Sequence, residues 1–228
     1  MKALLYKEFR LAMHPLCYVF VALCPFFLLI PNYPIGVCFI YVLSSYPVLF
    51  LGSNKGQQSN DLLFSTLLPV RKKDIVLARM ITCLMIQFAS MALMACMVPV
   101  VSLIHQQILL NGGEITDAGF PLEGFVTVLA FTIVGFGLAD LIFLPTYYKN
   151  GKSIVMSTLF TIFGFAAYIL IFTIVIPLIP GAEGYTNFFI GRGLGFQFIF
   201  LGASILISAI LHFLVYRISA KRLEKVDF

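Results

Sequence analysis

Residues able to do chemistry are few in this sequence, and their spacing excludes more than it suggests. The three histidines, His14, His105 and His212, stand in three distant segments. No H-E-x-x-H or similar spacing joins them, so a metal site has no sequence support. Neither a Ser-His-Asp arrangement nor paired carboxylates occur at short range. Gly151-Lys152-Ser153 looks like the end of a phosphate-binding loop. That motif requires a glycine five residues before Gly151, where Thr146 stands, and no strand precedes it. The chain is therefore expected to carry no catalytic residue, no metal, no cofactor and no ATP-hydrolysing machinery of its own. Cys17, Cys24, Cys38, Cys83 and Cys96 all fall inside apolar runs without C-x-x-C spacing. They read as small packing residues rather than as disulfide or zinc ligands.

Asp140 is the exception, the one acidic residue inside an apolar run of spanning length. An ionisable group there is costly and faces a bundle interior or water. Two roles fit it: a cavity or coupling residue, or a structural partner for a backbone amide, a hydroxyl or a snorkelling lysine. Polar stripes at helical spacing accompany it. Ser157, Thr161, Gly164 and Tyr168 share one face, Gln87, Ser90, Met94 and Met97 another, and Tyr41, Ser44, Ser45 and Val48 a third. Small and hydroxyl residues of this kind drive helix packing in membranes. They are also the candidate cavity lining, with Asp140, Gln87, Ser90, Met94, Ser157, Thr161 and Tyr168 as the named set.

The elements that must position these residues follow from composition. The chain has 228 residues, 61% hydrophobic and 11% charged, with a mean hydropathy of +1.01. A soluble domain is about half apolar and about a quarter charged, so a bilayer must take up the excess apolar surface. At about 20 apolar residues per spanning helix there is room for six. The fold expected is an all-α integral membrane protein, one domain over 1–228, with spans at 15–30, 35–51, 80–104, 124–147, 153–179 and 196–216. Pro31-Asn32-Tyr33-Pro34 makes the hairpin between the first two, and both are short enough for a re-entrant hairpin that does not cross fully. Residues 1–14 read as an amphipathic helix in the membrane interface, with Leu5, Phe9 and Met13 on one side and Lys7, Arg10 and His14 on the other. No small-residue cleavage site follows the first apolar run, so it is expected to remain as a helix.

Charge sets the topology. With the N-terminus in the cytoplasm and six spans, the inside segments hold fourteen of the fifteen Lys and Arg residues, and the outside segments hold only Arg192. The positive-inside rule then places both termini in the cytoplasm. The net charge of +5 does not indicate nucleic acid, because the basic residues sit at the ends of apolar runs.

Residues 53–79 form the one long polar segment. Within it 61–68 reads as a short apolar helix that Asn60 or Asp61 can cap, and Pro69 ends it. An exposed apolar helix at a membrane's edge calls for a protein partner; the alternative is a helix lying on headgroups, with Arg71, Lys72 and Lys73 on anionic phosphates. The stretch Asn60-Asp61-Leu62-Leu63-Phe64-Ser65-Thr66-Leu67-Leu68-Pro69-Val70-Arg71-Lys72-Lys73-Asp74-Ile75-Val76-Leu77-Ala78-Arg79 resembles the segment between spans 2 and 3 of ABC-2 type transporter permeases. Pro145-Thr146-Tyr147-Tyr148-Lys149-Asn150-Gly151-Lys152 looks like a second family stretch.

That resemblance implies an N-terminal elbow helix and a cytoplasmic coupling helix that docks on a separate ATP-binding-cassette ATPase. Asp61, Leu62, Leu63, Phe64 and Leu67 would lie in the coupling helix. Arg71, Lys72, Lys73 and Asp74 would border the ATPase, and Lys149 and Lys152 would make a second contact. It further implies two permease copies, identical or related, in a plasma membrane, with ATP and Mg bound by the partner ATPase. By size and layout the chain is similar to exporters of amphipathic peptides, the phenol-soluble-modulin exporters, and to bacteriocin-immunity permeases. The expected activity is export of an amphipathic peptide or other amphiphile. An ion-gradient-driven carrier using Asp140 is the alternative, and a membrane-embedded enzyme the third reading.

Overall fold

The structure is a computed structural model that describes residues 2–12, 16–23, 25–26, 70–111, 125–150, 154–171 and 194–225. Span 2, the hairpin at Pro31–Pro34, the stripe at Tyr41, the coupling helix, Lys152, Cys24 and Cys38 lie outside the described residues. Every regular element described is helical. These are α1 (Lys2–Lys7), continued by a π-helical stretch (Glu8–Ala12), α2 (Leu16–Leu23), α3 (Lys72–Leu110), α4 (Phe125–Asn150), α5 (Ile154–Leu170) and α6 (Leu194–Glu224). Among the described residues, α3, α4 and α6 are long and apolar enough to cross a membrane, and α5 is a shorter apolar helix.

The helices run further than the apolar runs do. The third span was expected to begin at Met80, yet α3 starts at Lys72. The reason is an inward face: Ile75, Val76 and Ala78 are almost wholly buried, so the charged stretch has something to pack against. The start is fixed by the Asp74 amide donating to the Arg71 carbonyl at 2.9 Å, and Asp74 in the first turn favours the positive end of the helix dipole. Likewise Arg217, Lys221 and Arg222, expected in a tail, continue α6. The fourth span, expected to end at Tyr147, stays helical through Asn150. At about 1.5 Å per residue the 39 residues of α3 span about 58 Å, nearly twice the ~30 Å of bilayer hydrocarbon.

Packing orders the bundle. α4 lies between α5 and α6, α6 also touches α3, and α1, the π-helical stretch and α2 lie on α3. Cross-links fix which ends meet. Lys73 pairs with Glu224 at 3.3 Å, and Arg222 Nη1 donates to the Pro145 carbonyl at 2.6 Å. The start of α3 and the ends of α4 and α6 therefore share one basic end.

The polarity of α6 is inverted relative to a helix of a water-soluble protein. Along α6 the buried residues include Gln197, Ser204, Ser208, His212 and Ser219. Its outward residues include Phe198, Ile199, Leu206, Ile210 and Phe213, each more than half exposed. Apolar side chains outside and hydroxyls inside are stable only where hydrocarbon is the solvent.

Candidate functional site

Two buried polar clusters lie at successive depths. The first joins the π-helical stretch that continues α1 to α3 and α4 at the basic end. Arg79 of α3 holds Glu8 with two bonds, Nε to Oε2 at 2.9 Å and Nη2 to Oε1 at 3.2 Å. Its Nη1 donates to the Tyr147 hydroxyl of α4 at 3.3 Å, and its guanidinium lies 5.9 Å from the Tyr147 ring centroid. Lys7 Nζ stands 3.6 Å from Glu8 Oε1. Lys7, Glu8 and Arg79 are all buried. Lys7 thus departs from the expected exposed face of the N-terminal helix: Glu8 draws it inward, while Tyr6 and Arg10 take the exposed side, with Arg10 Nη1 donating to the Tyr6 hydroxyl at 2.7 Å. The two-pronged geometry suits arginine's planar fork, and the paired charge is what makes burial of Glu8 tolerable.

The second cluster lies deeper. Asp140 of α4 is fully buried. Its Oδ2 accepts from Gln87 Nε2 of α3 at 3.0 Å and lies 3.1 Å from His212 Nε2 of α6. On its far side the imidazole Nδ1 is 2.7 Å from the Ser208 carbonyl and 3.2 Å from the Ser208 hydroxyl. Gln87 is eight residues beyond Arg79 on α3, which sets this layer about 12 Å further along the helix. One carboxylate oxygen therefore joins three helices.

The other candidate residues separate by face. Ser90 and Met94 are buried on the Gln87 side of α3, and the Ser90 hydroxyl donates to the Gln87 carbonyl at 2.7 Å. Ser157, Thr161 and Tyr168 line the α4-facing side of α5. Thr161 donates to the Ser157 carbonyl at 2.8 Å, and Tyr168 to the Phe131 carbonyl of α4 at 2.9 Å. Gly135 and Gly164 let these helices approach closely: a Cβ on Gly135 would sit 2.7 Å from Phe165 Cε2, and one on Gly164 would overlap Ile142 Cδ1. This face holds α5 to α4 and does not meet the Asp140 cluster through any of the bonds described. At the basic end Arg71, Lys73 and Lys149 are exposed, while Lys72 and Asp74 are half-buried. Asp61, Leu62, Leu63, Phe64 and Leu67 lie outside the described residues.

Sequence reasoning singled out Asp140 and Gln87 but missed Glu8, Arg79 and His212. A fourth stripe would have exposed His212, since Ser204, Ser208 and His212 recur every four residues along α6. Nothing comparable marks the Glu8–Arg79 pair, whose members are 71 positions apart.

Long apolar helices that expose large apolar side chains and pair their charges inside make an integral membrane protein. More narrowly, the chain belongs to the ABC-2 transporters: a family model described as ABC-2 family transporter protein matches residues 3–222, a stretch that contains both buried clusters. The chain is thus a membrane subunit of a transport family. No curated protein matches it, and no solved structure does.

Proposed function

We propose that the chain is the transmembrane subunit of an ATP-binding-cassette exporter in the plasma membrane. Family membership over residues 3–222 is the observation that carries this reading. In it, two copies, identical or related, associate with ATPase subunits that bind ATP and Mg, and both termini face the cytoplasm. Residues 61–68 form the coupling helix, entering the ATPase through Leu62, Leu63, Phe64 and Leu67. Arg71, Lys72, Lys73 and Asp74 border the contact, and Lys149 and Lys152 add to it. The exposed charges of Arg71 and Lys73 at the head of α3 support this placement, because that head is continuous with a membrane helix. The substrate is an amphipathic peptide or another amphiphile. Phe and Tyr number 24 and 10, which gives a transport path apolar and adaptable walls.

Purification from native membranes tests the reading. An ATPase subunit should accompany the wild-type chain, and Leu63→Asp or Phe64→Asp should release it while the permease stays inserted. A chain that purifies alone in mild detergent sinks the proposal, and unchanged association of both variants moves the coupling site elsewhere. The buried Asp140–His212 contact favours a second reading, an ion-gradient-driven carrier. Substrate movement that persists without ATP and stops when the proton gradient is collapsed would select it.

A further inference from the structure

One row of residues on α6 faces outward along most of the helix. Ile199, Leu206, Ile210 and Phe213 lie on it, each more than half exposed. Arg217 and Lys221 continue the row at steps of four, and both are exposed. Residues at such steps share a helix face, so a hydrocarbon-facing surface gives way to two cations within one turn. Length sets where this happens. The apolar run 196–216 rises about 32 Å, which matches the ~30 Å of bilayer hydrocarbon, and Arg217 is the first residue beyond it.

Arg217 does not turn away from the hydrocarbon. Helical side chains lean towards the N-terminus of their helix, and from this end of α6 that direction leads back into the membrane. The guanidinium follows it and lies 5.7 Å from the Phe213 ring centroid. A cation that snorkels to water would extend away from Phe213 instead. No carboxylate neutralises it: among the described residues, neither Arg217 nor Lys221 forms an ion pair. The one acidic residue of α6, Glu224, pairs with Lys73 at 3.3 Å. A cation at the edge of hydrocarbon is costly without an anion, so the anion must come from outside this row.

We infer that Arg217 and Lys221 form a headgroup site for an anionic phospholipid, with Phe213 as its floor and Ile210 and Leu206 alongside an acyl chain. A lipid phosphodiester is the anion that stands at this depth, and its chains need an apolar surface on the membrane side of the charge. A guanidinium stacked on a ring still offers parallel N–H donors to phosphate oxygens. Lys221, one turn further out, adds a second positive charge. A zwitterionic headgroup brings its own ammonium and forfeits that gain. A second copy of the chain fits the row poorly. Two copies inserted the same way would place their Arg217 residues at one depth and face like charges across the contact.

Native mass spectrometry of the full-length protein tests this, with phosphatidylglycerol and phosphatidylcholine of identical acyl chains competing in mixed micelles. Each basic residue near an anionic headgroup strengthens binding about fivefold, so the wild type should retain phosphatidylglycerol about 25-fold better. Arg217→Gln and Lys221→Gln should each lower that preference about fivefold. Arg71→Gln removes an exposed charge from the same end but off the row and should leave the preference unchanged. No preference in the wild type, or an equal loss in Arg71→Gln, overturns the inference. So does displacement of the lipid by inorganic phosphate, which would mark a free-anion site. On the wild type alone, phosphatidylglycerol with a photoreactive acyl chain should label α6 around Leu206 and Ile210, and labelling confined to other helices overturns it. Cross-linking between two chains through Phe213→Cys would put a second copy on the row and overturn it as well. None of these measurements involves the ATPase, so all stand apart from the proposed motor.

Discussion

Arg79→Met should be among the most damaging single substitutions outside the apolar interior. It removes both bonds to Glu8, at 2.9 and 3.2 Å, from a pair whose side chains are each 5% exposed. Removing one member of a buried ion pair costs about 3–5 kcal/mol, because the other charge stays buried without its partner. Lys7 Nζ, 3.6 Å from Glu8 Oε1, offsets part of that loss and places the expectation at the lower end. About 3 kcal/mol corresponds to roughly 150-fold in the folding equilibrium. Glu8→Gln should cost less, since Arg79 keeps the Tyr147 hydroxyl and one amide acceptor. The decisive quantity is the coupling in the double-mutant cycle with Glu8→Gln, expected at about 2 kcal/mol, which cancels effects the two changes do not share. Reversible unfolding in mixed detergent micelles measures it. Hydrogen exchange of residues 2–12 should rise in Arg79→Met in step with the loss of stability. A coupling under about 0.5 kcal/mol would mean that α1 is held by Leu4 and its apolar neighbours alone, and the latch described here would be wrong.

Two further substitutions test the α4–α5 seam and the basic end. Gly135→Ala places a methyl 2.7 Å from Phe165 Cε2 and 3.1 Å from Tyr168 Cε1; Tyr168 is tethered to the Phe131 carbonyl, so relaxation is limited and the same unfolding assay should show a loss of about 1–3 kcal/mol. Lys73→Ala, by contrast, breaks a pair with Glu224 in which both side chains are about half exposed; stability should change by less than about 1 kcal/mol, so any larger loss of ATPase association in that variant reports docking rather than folding.

Much of the fold is legible in the residues because lipid imposes a simple rule. The apolar runs at 80–104, 124–147 and 196–216 could only be helices, and α3, α4 and α6 are. Asp140 announced itself as a costly residue in a span, and Gln87 lay on a visible polar stripe of the facing helix. What stayed hidden depends on distance along the chain. Arg79 reads as one more positive flank of a span, and only tertiary packing reveals that its charge turns inward to Glu8. His212 looked isolated because its partner is 72 positions away. Helix ends were misjudged for a related reason. Hydropathy falls where lysines and arginines begin, at Lys72 and at Arg217, yet backbone hydrogen bonding and an inward row such as Ile75, Val76 and Ala78 carry the helix onward.

The length of α3 has a mechanical consequence. A rod gripped most firmly at one point behaves as a lever, and on α3 the two-pronged bond of Arg79 to Glu8, with Tyr147 beside it, is the strongest of its ties. Its short arm runs from Arg79 back to Lys72, about 10 Å at the rise of an α-helix, and its long arm reaches Pro99, about 30 Å away. A sideways displacement of about 1 Å at the charged head would therefore swing the helix by about 3 Å at Pro99 in the opposite sense, with the gain set by the number of residues on either side of the fulcrum. Gln87 sits on the long arm about 12 Å from Arg79, so it would travel about as far as the charged head. The bond from Gln87 to Asp140 therefore passes that displacement from α3 to α4.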